Sequence, residues 1–376
     1  MDFDVIVIGA GAVGIACAAE VAKRGFATLL IERHQSFGQE TSSRNSEVIH
    51  SGIYYTPDSF KARLCVAANI SMYEECDRLG VWYNRCGKLI VAVSVDEENA
   101  LMELYHRGGA NGVRGMELKS SAEVKLIEPY IVCRSAIFLT HTGILDSHAL
   151  MKAYLDEAQT AGALIRFGTT FIKPVSVHGG LTIQLLERDR KSVEVSARYI
   201  INSAGGSAGS VAEQFGIDQD EAGYRYYPNR GHYYRLPMQK SKLVSHLVYP
   251  IPPPHLHGAG IHITLDRAGQ VRLGPDYEYI DASLPREKWY EFDDSKRENF
   301  FNAVSRYFPH ITREELSPDL VGVRPKIQAP SDPLKDFIIA EETQRGVPGL
   351  INLIGIESPG LTCCHKIARY VMEYLD

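Results

Sequence analysis

Gly9-Ala10-Gly11-Ala12-Val13-Gly14 and Glu32, the latter 23 residues past the first glycine, are the residues whose types and spacing most plainly imply chemistry. Glycine at three such positions permits a tight turn, close approach of backbone to a pyrophosphate, and close packing of a helix on a strand. The helix start that follows offers free N–H groups and partial positive charge to the phosphates. A carboxylate ending the next strand accepts hydrogen bonds from a ribose hydroxyl, and an acid there, rather than a base, disfavours a 2′-phosphate. The expectation is a dinucleotide site touched by Gly9, Gly11, Ala12, Val13, Gly14, Glu32 and the adjoining Arg33.

Two further glycine-rich turns favour FAD over NAD. Tyr199 to Ser203 reads as a buried strand running into Ala204-Gly205-Gly206-Ser207-Ala208-Gly209, where Ala204 and Gly205 can reach the adenosine half of a long cofactor. Asn352 to Thr362 delivers another strand to a helix start, bringing Gly355, Gly360, Leu361 and Thr362 toward the flavin. A helix N-terminus aimed at the flavin N1/C2 carbonyl region stabilises the anion formed on reduction. Only one GxGxxG fingerprint is present, whereas a flavoprotein that also uses NAD usually carries two. Ser42, Ser43, Arg44, Asn45 and Ser46 follow the second strand, placed to hydrogen-bond the pyrophosphate and ring. An NAD-dependent dehydrogenase without flavin is the rival enzyme, and a flavin-bound protein that never turns over is the rival outside enzymology.

The elements that must position these residues follow from periodicity. Val5 to Ile8 is a buried strand, Ala12 to Lys23 a helix ended by Gly25, and Phe26 to Ile31 a second strand, together a parallel βαβ unit. Helical periods recur at 64–80, 95–108, 120–127, 148–162, 295–308 and 362–374. Strand patterns fall at 88–93, 164–167, 181–187, 192–201, 337–340 and 350–353, with strands and turns from Tyr224 to Pro275 interrupted by Ile251-Pro252-Pro253-Pro254. The expected fold is α/β and α+β, a Rossmann-like FAD-binding domain interleaved with an antiparallel-sheet substrate domain. The first takes residues 1–80, 148–222 and 330–376, and the second 81–147 and 223–329.

Composition excludes several classes. An apolar fraction of 45%, a charged fraction of 23% and a formal net charge of −6 over 376 residues describe a globular chain with no nucleic-acid footprint. The aromatic and basic run Tyr224 to Arg235 reads as a strand and turn lining a polar pocket. Seven irregularly spaced cysteines fit a reducing compartment, and Cys363-Cys364 read as two small helix residues. The run Val5 to Val21 contains glycines and follows Asp2 and Asp4, unlike a signal peptide. The expectation is a cytoplasmic protein, with peripheral contact to an inner membrane left open. No metal is expected, because no cluster shows ligand spacing; His255-Leu256-His257 comes nearest and reads as turn residues.

Four stretches resemble the L-2-hydroxyglutarate dehydrogenase/oxidase family, within the D-amino-acid-oxidase-like flavoproteins. They are Asn45-Ser46-Glu47-Val48-Ile49-His50-Ser51-Gly52-Ile53-Tyr54-Tyr55 with Lys61-Ala62, Leu247 to Pro252, Gly260-Ile261-His262-Ile263-Thr264, and Gly322-Val323-Arg324. With the nucleotide motifs, the similarity spans nearly the whole chain. The resemblance implies non-covalent FAD and an L-2-hydroxy acid substrate with L-2-hydroxyglutarate as first choice; the electron acceptor, oxygen or a quinone, depends on access to the flavin edge and is left open by the sequence. Arg324-Pro325-Lys326 is also a pairing of relatives that oxidise amines or glycerol phosphate. A small amino acid, a secondary amine or glycerol 3-phosphate is therefore the alternative substrate.

Such an oxidation needs a cation for the carboxylate, a base for the hydroxyl proton, and a substrate carbon held over flavin N5. Arg324 is the candidate cation, since a guanidinium fork binds a carboxylate through two parallel bonds, and related families place an arginine here. His262 is the favoured base and His50 the second, because both lie in the resembling motifs while His232 and His257 do not. His50 has the further option of packing on the isoalloxazine. Tyr54, Tyr234 and Thr264 are candidate substrate hydrogen-bond donors.

Overall fold

The computed structural model describes residues 1–177, 179–252 and 260–375. Pro253 and Pro254 of the proline run, and His255 and His257, lie outside the described residues.

The strand Phe3–Ile8 and the helix Ala12–Lys23 form as the apolar periods require, and Thr28–Glu32 pairs parallel to the first strand. The alanine-rich helix has small side chains, so it packs close on the sheet and against the helices Ser147–Thr160 and Gly360–Val371. Leu164–Phe167, Thr28–Glu32, Phe3–Ile8, Ser192–Asn202 and Val347–Ile354 lie side by side in parallel. Ile338–Glu342 pairs antiparallel at one end of this run. The long strand Ser192–Asn202 continues beyond its parallel partners and carries the antiparallel pair Thr170–Ser176 and Leu181–Leu186. This mixed eight-stranded sheet is Rossmann-like.

A second sheet of nine strands draws on 88–139, 227–279 and 317–326. Its pairings are antiparallel except that of Leu247–Pro250 with Lys88–Ala92. Its apolar face is covered by the helices Val95–Ala110 and Arg297–Ser305, around a core that includes Leu89, Val91, Ile137, Val248, Ile263 and Phe300. A small three-stranded sheet of Val48–Ile49, Gly143–Leu145 and Tyr83–Asn84 is separate from both. Among the described residues no helix is long and apolar enough to cross a membrane.

The expected elements form within a few residues of their sequence bounds, and the strands not anticipated are Met116–Ser120, Ser135–Leu139, Thr170–Ser176 and Ser317–Lys326, with the short Val48–Ile49, Tyr83–Asn84, Gly143–Leu145 and Glu278–Tyr279. The glycine-rich break after Asn202 is also more ordered than expected, passing through a short 3-10 turn, Gly205–Ser207, into the helix Ala208–Gln214.

Candidate active site

One cavity of about 710 Å³ runs between the two sheets, from the first glycine turn to the strands Tyr227–Arg235 and Ser317–Lys326. At its first end the glycines are dictated by contact. Gly9 has φ +103°, and a Cβ there would sit 2.7 Å from the Ser203 carbonyl oxygen. A Cβ on Gly14 would sit 2.0 Å from the Gly9 carbonyl oxygen, so a side chain would push the helix off the turn. Glu32 is held by the backbone: Ala10 N–H donates to its Oε2 at 2.8 Å and His34 N–H to its Oε1 at 2.8 Å. Each carboxylate oxygen keeps a lone pair for a further donor. The N-terminus of Ala12–Lys23 opens on the same cavity, with Ser42 Oγ accepting from Ala12 N–H at 3.0 Å.

Of the residues expected to touch a cofactor, Gly9, Gly11, Ala12, Val13, Gly14, Glu32, Arg33, Ser42, Arg44, Asn45, Ser46, His50, Ala204, Gly205, Gly360 and Leu361 line this cavity. Ser43, Gly355 and Thr362 do not. Ser43 turns its hydroxyl inward to the Gly38 carbonyl. Gly355 is a left-handed turn, φ +69°, packed on Ile327. Thr362 is wholly buried, its hydroxyl donating to the Val48 carbonyl at 3.1 Å and accepting from His50 N–H at 3.1 Å. It ties the small sheet to the C-terminal helix instead of facing a ligand. The remaining set is a glycine cradle, a carboxylate fixed at the end of the second strand and helix starts along a long cavity, and it fits a dinucleotide.

At the other end Arg324 lies across the strand Tyr227–Arg235. Its Nη1 donates to Asn229 Oδ1 at 2.6 Å and to the Arg230 carbonyl at 3.4 Å, and its Nη2 donates to the Asp276 carbonyl at 2.9 Å. Gly231 makes that pose possible, because a Cβ there would meet the guanidinium nitrogens at 2.9 and 3.1 Å. The clue in the sequence is a glycine in a strand otherwise full of large residues.

His262 also lines the cavity. Its ring stacks on Tyr249, centroids 3.7 Å apart, and Nδ1–H donates to the Gly260 carbonyl at 2.7 Å. That bond assigns the proton to Nδ1 and leaves Nε2 as a lone-pair acceptor. Burial first, then the nearby cations Lys88 and Arg324, hold the imidazole down to about 3. His50 is also held well below its ordinary value by burial, then by Lys88 and His262, and its Nε2 lies 3.2 Å from Ser358 Oγ.

Tyr54 lines the cavity, but Tyr234 and Thr264 do not. Side chains alternate along a strand, so Tyr233 faces the cavity, with its hydroxyl 3.0 Å from Ser46 Oγ, while Tyr234 points the other way. Tyr234 packs on Phe292 and Phe300 and donates to Asp294 Oδ1 at 2.9 Å. Thr264 stands two residues past His262, roughly 7 Å further along its strand, and is buried among the sheet's apolar residues. His232 is turned away as well, its Nδ1 3.0 Å from Asp276 Oδ1.

The sequence reading missed several lining or supporting groups. Glu357 sits between Lys61 Nζ at 3.0 Å and Lys326 Nζ at 2.8 Å, and the two ammonium groups overcome its burial to hold the carboxyl down to about 2. Tyr249 and the exposed Arg107 line the cavity, and among the described residues Arg107 has no ion pair. Tyr249 and Glu357 stood inside motifs already singled out, whereas Arg107 on the helix Val95–Ala110 carried no signal.

The chain matches the family model described as "FAD dependent oxidoreductase" over residues 4–374. It is 34% identical over 404 residues to the mitochondrial L-2-hydroxyglutarate dehydrogenase of Arabidopsis thaliana, covering 98% of this chain and 82% of that protein. With the L-2-hydroxyglutarate dehydrogenase of Salmonella houtenae it shares 28% identity, covering 99% and 92%. Among solved structures it is similar to FAD-bound L-alpha-glycerophosphate oxidase from Mycoplasma pneumoniae, with TM-score 0.87, 24% identity and coverage of 99% and 94%. Cradle, cavity and whole-length match agree, and the chain belongs to the FAD dependent oxidoreductase family.

Proposed function

We propose that this chain oxidises an L-2-hydroxy acid, L-2-hydroxyglutarate to 2-oxoglutarate, on FAD held without a covalent bond. The observation that carries this reading is one continuous cavity with a dinucleotide cradle at one end and, at the other, Arg324 near the buried His262 and the half-buried His50, both held toward the neutral form. The names of the relatives at 34% and 28% identity support the choice of acid.

FAD, when bound, supplies the acceptor for the hydride leaving the substrate's α carbon. Arg324 keeps N–H donors free for the α-carboxylate, and its fixed bonds to Asn229 and Asp276 hold the guanidinium against rotation. His262 Nε2 takes the hydroxyl proton as the C–H electron pair departs, leaving a ketone. The aromatic walls Tyr54, Tyr233 and Tyr249 exclude water from these groups. Arg107, which lines the cavity with no ion pair among the described residues, meets the second carboxylate of a dicarboxylic acid.

Anaerobic addition of substrates to the holoenzyme tests the reading. L-2-hydroxyglutarate is expected to bleach the oxidised flavin absorbance. If sarcosine, glycine or glycerol 3-phosphate bleaches it and 2-hydroxy acids do not, the amine or polyol reading replaces this one. Turnover with and without oxygen then separates oxygen from a quinone as acceptor.

A further inference from the structure

Lys88 opens the strand Lys88–Ala92 in the second sheet, and its side chain is completely buried. Among the described residues its ammonium has neither a hydrogen-bond partner nor a carboxylate. A buried, unpaired cation is costly enough that such groups are rare without a purpose. What faces it is aromatic: Nζ lies 4.5 Å from the ring centroid of Tyr249 and 5.0 Å from that of Tyr54. Lys88 and Leu247 are paired across the sheet, as are Ile90 and Tyr249, so Lys88 and Tyr249 emerge on the same face.

His262 occupies the other side of the same ring. A stacked imidazole 3.7 Å from the Tyr249 centroid, tilted only 17°, leaves no room for an ammonium on its own face. The tyrosine ring is therefore a spacer between amine and imidazole. The ring's negative face attracts the ammonium, and the ammonium's field reaches through to the imidazole.

We propose that Lys88 is a positioning residue for the oxidation: through the Tyr249 ring its charge adds to burial in keeping the His262 imidazole unprotonated, with Nε2 turned to the cavity as the base. The inference rests on the reading above, in which His262 takes the substrate proton. The titratable groups facing this stack are Tyr54 and His50 from the loop around the small sheet, Cys65 from the helix Phe60–Leu79, Tyr233, Cys86 and Tyr307 around Tyr249, and Arg324 beside His262. None is a carboxylate, and the Gly260 carbonyl that accepts from Nδ1–H is the one neighbour that favours an imidazolium, outweighed by burial and the two cations. Burial lowers Lys88 only to about 7 but, with the neighbouring cations, lowers His262 to about 3. The first proton to enter this wall therefore goes to the amine, and its charge opposes a second proton on the ring across from it.

The test uses holoenzyme of Lys88→Met and Lys88→Gln, each checked for flavin content by absorbance. The acidic limb of the kcat/KM profile is expected to move up by about one pH unit relative to the unsubstituted protein. A limb that superimposes on the original, in a variant with full flavin content, overturns the proposal. A second measurement needs neither variant to fold. In unsubstituted holoenzyme labelled with 15N-histidine, the His262 signal, assigned by its loss in His262→Gln, is expected to show the neutral Nδ1–H tautomer down to about pH 5. An imidazolium near neutral pH, or the Nε2–H tautomer, overturns it. The NMR arm requires no substrate, so an error in substrate class would fail the bleaching assay and leave this result readable.

Discussion

Arg324 commits three hydrogen bonds to protein oxygens and has five N–H donors in all, so a carboxylate meets a guanidinium already fixed in place. Replacing it by methionine is expected to lower kcat/KM for the 2-hydroxy acid about a hundredfold, chiefly through KM. His262→Gln removes the lone pair that accepts the proton and is expected to lower kcat by about two to four orders of magnitude, with KM little changed. Arg107 is exposed, so its contribution is smaller. Arg107→Leu is expected to raise KM for a dicarboxylic acid roughly fivefold, and steady-state kinetics with a monocarboxylic analogue should show no such change. At this scale the sequence was legible where a residue type has few uses, as with the glycines, Glu32 and Arg324. It was less so where orientation decides. Tyr233 and Tyr234 are one residue apart and face opposite ways, and the register of Tyr227–Arg235 against Ser317–Lys326 shifts between His232 and Tyr234. Lys88, first residue of an apolar strand, reads as an ordinary strand-end lysine until the fold buries it.

Glu357 joins two elements and a loop: Lys61 on the helix Phe60–Leu79, Lys326 at the end of Ser317–Lys326, and the turn before the C-terminal helix. Glu357→Gln leaves two buried ammonium groups without a counter-charge and is expected to cost about 3 kcal/mol, read as a lower Tm. Because the folded carboxyl is held down to about 2 while the unfolded one titrates near 4.5, this contribution is full above pH 4.5 and is lost as pH falls toward 2. A stability curve in which the difference between Glu357→Gln and the parent persists unchanged at pH 2 would contradict that. Gly14→Ala is expected to abolish flavin retention, since its Cβ would drive the helix Ala12–Lys23 off the Gly9 carbonyl; absorbance of the purified protein reports it. The first βαβ unit was legible almost to the residue because its strands are buried on both sides and its helix ends at a glycine. Three of the unanticipated strands, Met116–Ser120, Thr170–Ser176 and Ser317–Lys326, each pair with a single neighbour. Such edges tolerate Pro174, Pro318 and Pro325 and need little apolar patterning, so the usual strand signals are missing. Ser135–Leu139 is buried and apolar but only five residues long, too short for periodicity to separate from a helical turn.

Across the whole molecule, both sheets and the C-terminal helix contribute wall to one cavity. A cofactor that binds only the assembled walls stabilises all of them together: added FAD at about a hundred times its Kd should contribute about 2.7 kcal/mol to the apoprotein. Calorimetry is expected to show a single transition that rises with FAD; two transitions, only one of them moving, would show that the sheets melt independently. The fold class was readable at this scale because three glycine turns, at Gly9, Gly205 and Gly360, make chemical sense only around the same ligand. The strand order of the second sheet was not, because pairings between residues as distant as Lys88 and Leu247 leave no local trace. The same distance has a consequence for biosynthesis. Gly9 leaves the ribosome far ahead of Gly360 and Leu361, which line the same cavity. A nascent chain can close its first βαβ unit during elongation, yet it cannot enclose a flavin until Gly360 and Leu361 have emerged. Cofactor capture therefore waits on the C-terminal helix, and a chain cut short before Gly360 lacks part of the pocket.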